Sequence, residues 1–187
     1  LSGITTGFIS GKTYKEYEKM ADEFYDKRNY TEALKYYKLS ALGNDGNILN
    51  QLGYMYLTGE GVEADDSEAA KWFRKAAEAG NVTGQYNLGW MYETGRGVTK
   101  NIILAKQWYE KAAAQNNSDA QSSLGTIYYN GEGVTKDYAK AMEWYRKAAD
   151  QGNMYGEFNI GLLYEFGYGV TKNLDEAAKW YRRAANR

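Results

Sequence analysis

The sequence predicts an all-α fold, a right-handed α/α superhelix (solenoid) of helical hairpins, and three observations carry that prediction. A Leu/Ile-Gly pair recurs at Leu52-Gly53, Leu88-Gly89, Leu124-Gly125 and Ile160-Gly161, each step being 36 residues. A Gly-x-Gly-Val segment recurs with the same step at 59–62, 95–98, 131–134 and 167–170. Trp72, Trp108, Trp144 and Trp180 follow, each with Phe or Tyr next and an Ala-Ala pair closing the unit. A fixed period of this length is the mark of stacked supersecondary units that cannot bury their apolar faces alone.

Residues 1–12 fit no repeat and are read as a leader or an appended segment; they lack the long apolar stretch of an intact signal peptide. Residues 13–44 are related to the repeats but lack the Gly-x-Gly-Val loop. Tyr17, Met20, Ala21, Phe24, Ala33, Tyr37 and Ser40 match a tetratricopeptide-like hairpin with a short Lys27-Arg28-Asn29 turn. Lys15, Glu16, Lys19 and Asp22 suit the solvated outer face of a capping unit. Four repeats follow, at 45–80, 81–116, 117–152 and 153–187.

Within a repeat, the second copy predicts a first helix over about residues 83–93. Counted from the helix glycine, positions −5, −1, 0, +2 and +3 recur in kind and fall on one helical face, which predicts the buried side. The bare glycine is expected to admit a neighbouring helix at close range, which offsets its helix-propensity cost of about 1 kcal/mol. Gly125→Val is therefore expected to overpack. The loop glycine stops the helix in a left-handed C′ position, and the Val is expected to plug the loop into the core. Asp65, Asn101, Asp137 and Asn173 are predicted N-caps of the second helix. That helix carries Ala69/Trp72/Phe73/Ala76 and equivalents as an apolar stripe, and Gly80, Asn116 and Gly152 end it. The last stripe, Ala177/Trp180/Tyr181/Ala184, has nothing after it to cover it. The array is expected either to continue or to pack there on another molecule, homo-association through this repeat included.

Composition narrows the function classes. A formal net charge of −1 leaves no electrostatic footprint for nucleic acid or an anionic membrane. No apolar run approaches the roughly 20 residues of a membrane span. Cysteine and histidine are absent, which removes thiolate nucleophiles, disulfides, His-based triads and the commonest metal ligands. No metal or cofactor is expected. The compartment stays open between exported and cytoplasmic. Asp65-Asp66 could suggest a cation site, but an N-cap followed by a first-turn acid explains the pair.

The string from Tyr86 to Val98, Tyr-Asn-Leu-Gly-Trp-Met-Tyr-Glu-Thr-Gly-Arg-Gly-Val, with Ala105-x-x-Trp108-Tyr109-x-Lys111-Ala112-Ala113 after it, resembles a Sel1-like repeat. The resemblance covers about residues 45–187. It implies a tetratricopeptide-related superhelix that acts as a bacterial adaptor in protein assemblies, with first helices lining a concave groove. Some bacterial relatives are cysteine-rich; this chain departs from them. Some members are linked to β-lactamase-like activity, but no serine here has Lys three residues on, as that chemistry needs.

The variable positions −3, +1 and +4 are then the candidate partner-binding residues: Asn50, Tyr54 and Leu57; Tyr86, Trp90 and Glu93; Ser122, Thr126 and Tyr129; Phe158, Leu162 and Glu165. Their aromatic content favours a groove lining for a protein or peptide. The alternative for Tyr54, Tyr86 and Phe158 is burial against an adjacent first helix. Glu93 and Glu165 read as solvated rather than functional. The expected function is a non-enzymatic scaffold, with structural self-assembly through open repeat ends as the alternative.

Overall fold

The computed structural model describes residues 8, 9 and 11–187, so the leader reading of 1–12 lies outside the described residues for 1–7 and 10. The chain forms two compact units, residues 1–100 and 101–187. Both are built of helical hairpins, and the all-α class predicted is the one observed.

The first unit opens with a two-residue ladder, β1 (Phe8–Ile9) against β2 (Lys12–Thr13), antiparallel with Phe8 opposite Thr13. Thr13 then caps α1 (Tyr14–Asp26): its hydroxyl accepts from the Glu16 N–H at 3.1 Å, and the Glu16 carboxylate accepts from the Thr13 N–H at 2.6 Å. This reciprocal box satisfies two donors that a bare helix end leaves open. Arg28 turns the chain in the left-handed region, φ 59°, into α2 (Tyr30–Ser40). Tyr17, Ala21, Ala33, Tyr37 and Ser40 are buried, while Lys15, Glu16, Lys19 and Asp22 are exposed. A single 3-10 turn (Ala41–Gly43) leads to α3 (Gly46–Thr58), α4 (Asp66–Glu78) and α5 (Val82–Thr94).

The second unit holds α6 (Ile102–Ala114), α7 (Ser118–Asn130), α8 (Tyr138–Asp150), α9 (Met154–Phe166) and α10 (Leu174–Ala185). Its core gathers Ala141, Met142, Tyr145, Ala149, Ile160 and Leu163.

The helix punctuation follows the sequence reading closely. Gly59, Gly95, Gly131 and Gly167 close the first helices in the left-handed region. The side chains of Asp65, Asn101, Asp137 and Asn173 each accept a backbone N–H three residues on, at 2.9–3.0 Å. Asp65 and Asp66 are thus accounted for without a cation, since Asp66 accepts from Arg96 at 2.7 and 2.9 Å.

The close-approach role of the helix glycine is specific. A Cβ on Gly53 would stand 2.5 Å from the Phe73 ring, on Gly125 2.5 Å from Tyr145, and on Gly161 2.6 Å from Tyr181. Each glycine therefore seats the aromatic ring of its own hairpin's second helix. Phe73 and Tyr145 are fully buried there, each burial stabilising by about 2–3 kcal/mol.

Two features differ from expectation. Trp72, Trp108, Trp144 and Trp180 are half-buried. Adjacent helical residues lie about 100° apart, so the following aromatic takes the inward direction and the Trp lies at the edge. A cation three residues on covers each indole: Lys75 at 4.5 Å, then Lys111, Lys147 and Arg183 at 4.3 Å. The loop Val is half-buried rather than plugged inside. The second loop glycine seats the loop instead: a Cβ on Gly61 would stand 2.3 Å from the Tyr30 carbonyl oxygen, and on Gly97 2.0 Å from that of Asp66. The loop tip thus lies on the first residue of the preceding repeat's second helix.

A further periodic device is the N-cap of the first helices, Asp45, Asn81, Asn117 and Asn153. Asn81 accepts from the Gly84 N–H at 2.7 Å and donates its amide to Asn47 at 2.8 Å. Asn153 accepts from Gly156 at 2.9 Å and donates to Asp119 at 2.7 Å. An amide can cap its own helix and donate to the repeat before it, which a carboxylate such as Asp45 cannot.

In the second unit, Glu157 replaces the glutamine that precedes it in phase at Gln121. Its carboxylate is wholly buried and is reached by Arg187 at 2.8 Å and Arg183 at 3.1 Å. Hydrogen bonding from Arg187 outweighs burial and holds the carboxyl below its ordinary range. Because the folded value is depressed, the pair's contribution is present above the unfolded carboxylate value and fades as pH falls through the folded one. Replacing both arginines by Gln leaves an unpaired buried carboxylate, which inverts that dependence. Melting curves across pH 3–8 should show the parent losing stability on acidification and the double variant losing it on neutralisation. Parallel profiles would refute the pairing.

Candidate protein-binding face

The first helices present a stripe of exposed and half-buried residues. In the first unit it runs through Asn47, Gln51, Tyr54 and Thr58 on α3, and Thr83, Asn87, Trp90 and Thr94 on α5. In the second it runs through Asp119, Ser123, Thr126 and Asn130 on α7, and Tyr155, Asn159, Leu162 and Phe166 on α9. These are offsets −6, −2, +1 and +5 from the helix glycine, a spacing that keeps them on one helical face. Asp119 is the single charged member among the sixteen.

Of the residues singled out from sequence, the +1 set Tyr54, Trp90, Thr126 and Leu162 lies within this stripe. The −3 and +4 sets flank it. Asn50 is half-buried and accepts from the Asn87 amide at 2.9 Å, which ties α3 to α5. Leu57 lines a cavity of about 730 Å³ with Asp66 and Arg96. Tyr86 and Glu93 are half-buried. Ser122 is buried. Tyr129 packs edge-on to Tyr138 and Tyr168, at 5.4 and 6.1 Å between centroids, and burial pushes its hydroxyl up. Phe158 is exposed yet touches Tyr181, 5.2 Å between centroids. Glu165 accepts from the Tyr181 hydroxyl. In the second unit Tyr129, Phe158 and Glu165 are thus engaged with side chains of the second helices, while Asn50 in the first unit is engaged with the neighbouring first helix.

The +1 residues differ in the freedom left to them. Thr126 shares a hydrogen bond with the Tyr145 hydroxyl at 3.1 Å, and burial pushes that phenol up to about 12. Trp90 is half-buried, and the Arg96 guanidinium lies over its ring at 5.2 Å. Arg96 is itself held by both oxygens of Asp66, so the indole is fixed on one face. Tyr54 is exposed at 45%. The −6, −2 and +5 members lie outside the positions −3, +1 and +4, which point away from the core by helical angle. The signal available was the run of Asn, Gln and Thr where a solvated helix face normally carries Lys and Glu.

Among the described residues, no group of three or more Asp or Glu is placed to hold a metal ion. No helix among them is long and apolar enough to cross a membrane.

Comparison with known proteins yields the following. The Sel1 repeat model matches residues 19–45, 49–81, 82–117, 118–153 and 155–187, so the front hairpin is matched along with the four full repeats. A Sel1 repeat protein from Oxalobacter formigenes is similar over 90% of this chain and 69% of its own, with 39% identity and a TM-score of 0.84. The protein c5321, a protective antigen of uropathogenic Escherichia coli with an SLR fold, is 38% identical with a TM-score of 0.88. The match covers 92% of this chain and 38% of that one. A search of curated proteins gives no match. Five consecutive matches make this chain a member of the Sel1 repeat family, whose fold is generally a scaffold for protein–protein interaction.

Proposed function

We propose that the chain is a non-enzymatic adaptor that holds an uncharged segment of a partner protein on the exposed face of its first helices. The observation that carries this reading is the composition of that face, where amides, hydroxyls and aromatic rings stand in place of charges. Side-chain amides offer both a donor and an acceptor to a partner's backbone. Tyr54 and Trp90 offer the rigid, amphipathic area typical of interface anchors. Trp90 is the stronger anchor, because the Arg96–Asp66 pair already holds its ring and little side-chain freedom is left to lose on binding.

The test uses peptides selected by display on the immobilised full chain. Trp90→Ala should weaken the selected peptides by tenfold or more, with helical signal and melting temperature unchanged. Tyr54→Ala should weaken them less. Peptides that ignore both changes but respond to substitutions on the second helices would refute the assignment.

A further inference from the structure

The loop side of the second unit gathers four aromatic rings into one continuous cluster. Tyr138, the first residue of α8, stacks on Tyr168 with centroids 4.8 Å apart and planes 9° from parallel. Phe166 stacks on Tyr168 in turn, at 5.6 Å and 23°. Tyr129 meets both Tyr138 and Tyr168 edge-on.

Part of this cluster belongs to the joint between repeats. Tyr168 lies in the loop tip that Gly169 seats on Tyr138, where a Cβ would stand 3.0 Å from the Tyr138 carbonyl carbon. In the first unit the same joint is made by an ion pair, Arg96 with Asp66. Phe166 lies outside the joint and stands 55% exposed, at offset +5. That exposure belongs to the position. Thr58 and Asn130, at the same offset, are exposed although α5 packs beside α3 and α9 beside α7. Exposed apolar clusters of this kind mark interaction surfaces.

The polar groups of the cluster decide what fits it. The hydroxyls of Tyr129, Tyr138 and Tyr168 make no hydrogen bond with the described residues. The Lys136 ammonium lies over the Tyr138 ring at 5.8 Å and pairs with no carboxylate among them. Ring surface is thus combined with unused donors. An ordinary extended strand brings as many N–H donors as carbonyl acceptors, whereas each proline brings a carbonyl and no N–H. A proline-rich segment also forms an extended helix without internal hydrogen bonds, so its carbonyls stay open to outside donors while its rings pack on aromatic side chains.

We propose that the shelf of Tyr138, Tyr168 and Phe166 binds a proline-rich segment of a partner protein, with the phenol hydroxyls donating to its carbonyls. This rests on the reading of the first-helix stripe, which includes Phe166, as a binding face, and it names the partner's chemistry for the second unit. Such a segment matches the uncharged stripe. It must come from another protein, because this chain contains no proline.

Fluorescence anisotropy with the full chain would compare a labelled ten-residue oligoproline with a Gly-Ser peptide and an Asp-Phe peptide of equal length. The oligoproline should bind at least tenfold more tightly than either. Phe166→Thr, which matches Thr58 and Thr94 at the same offset, should weaken it at least fivefold with melting temperature unchanged. Tyr138→Phe together with Tyr168→Phe keeps the rings and removes two donors, and should weaken it at least threefold. Oligoproline that binds no better than the Gly-Ser peptide, tighter binding of the Asp-Phe peptide, or an affinity indifferent to either set of changes would each overturn the proposal. In that event, display-selected peptides that still weaken with Trp90→Ala would leave the binding face standing without this partner. Selected peptides indifferent to Trp90→Ala as well would bring down the face itself.

Discussion

Gly125→Val should lower the stability of the second unit by about 3 kcal/mol, the upper part of the range for overpacking a core. The Cβ alone would enter the Tyr145 ring at 2.5 Å, touching Cδ1 and Cε1. Two γ-methyls then need space that a fully buried ring does not leave. Tyr145 cannot swing clear without giving up its contacts with Thr126, at 3.1 Å, and with the apolar cluster of Met142, Ile160 and Leu163. Some of the loss is recovered because glycine is a poor helix former, by about 0.5–1 kcal/mol relative to alanine. The clash outweighs that gain. Thermal unfolding should show a drop of roughly 6–12 °C. Pairing the change with Tyr145→Ala separates this account from a backbone effect. The double variant should be more stable than the sum of the two losses predicts, by 1 kcal/mol or more. Strict additivity would show that the glycine is not a seat for the ring.

The parts of this molecule legible in the sequence are those fixed by local backbone chemistry repeated at one period. The second-helix caps Asp65, Asn101, Asp137 and Asn173 could be read because an Asx before an apolar stripe has one main use. The C′ glycines were legible for the same reason. What the period left hidden was which of two adjacent aromatics turns inward, since Trp144 and Tyr145 share a stripe in projection. The ring seated on Gly125 decides it, and that is a tertiary contact. The outward face was misaligned by one residue at its flanks for a related reason. Offsets −3 and +4 point away from the core by angle, yet Glu165 is drawn to the Tyr181 hydroxyl and Phe158 to its ring. The dual role of Asn81 and Asn153 was periodic and readable as a cap. Its second bond, to the preceding repeat, needed the stack itself.

Those inter-repeat bonds also explain how the +1 residues Tyr54, Trp90, Thr126 and Leu162 can differ from repeat to repeat. Coupling between neighbouring repeats runs through the N-cap amides, the Asn87–Asn50 bond, the alanine seats that receive Gly84 and Gly156, and the loop tips. None of these lies at offset +1 or +5. A substitution such as Trp90→Ala therefore changes the face without touching the joints, whereas a change at a loop tip attacks a joint directly.

Gly97→Ala is the sharpest case of the latter and should cost about 3 kcal/mol. Two effects add. The residue sits at φ 65°, where an L side chain costs roughly 1–2 kcal/mol. Its Cβ would also fall 2.0 Å from the Asp66 carbonyl oxygen and 2.4 Å from the carbonyl carbon. Both are backbone atoms at the start of α4, so no rotamer change relieves the overlap. The loop must lift, which pulls Arg96 from Asp66 and releases the guanidinium that lies over Trp90. Gly80→Asn is the control. Gly80 also has positive φ, but a Cβ there meets nothing within 4 Å, and Asn116 occupies the equivalent position at φ 63°. That variant should stay within about 0.5 kcal/mol of the parent. Denaturant melts of the two variants decide the matter: near-equal losses would mean that φ alone governs both sites and that the loop tip is not a joint. A large loss confined to Gly97→Ala, accompanied by weaker binding of the selected peptides, would tie the loop seat to the face that carries Trp90.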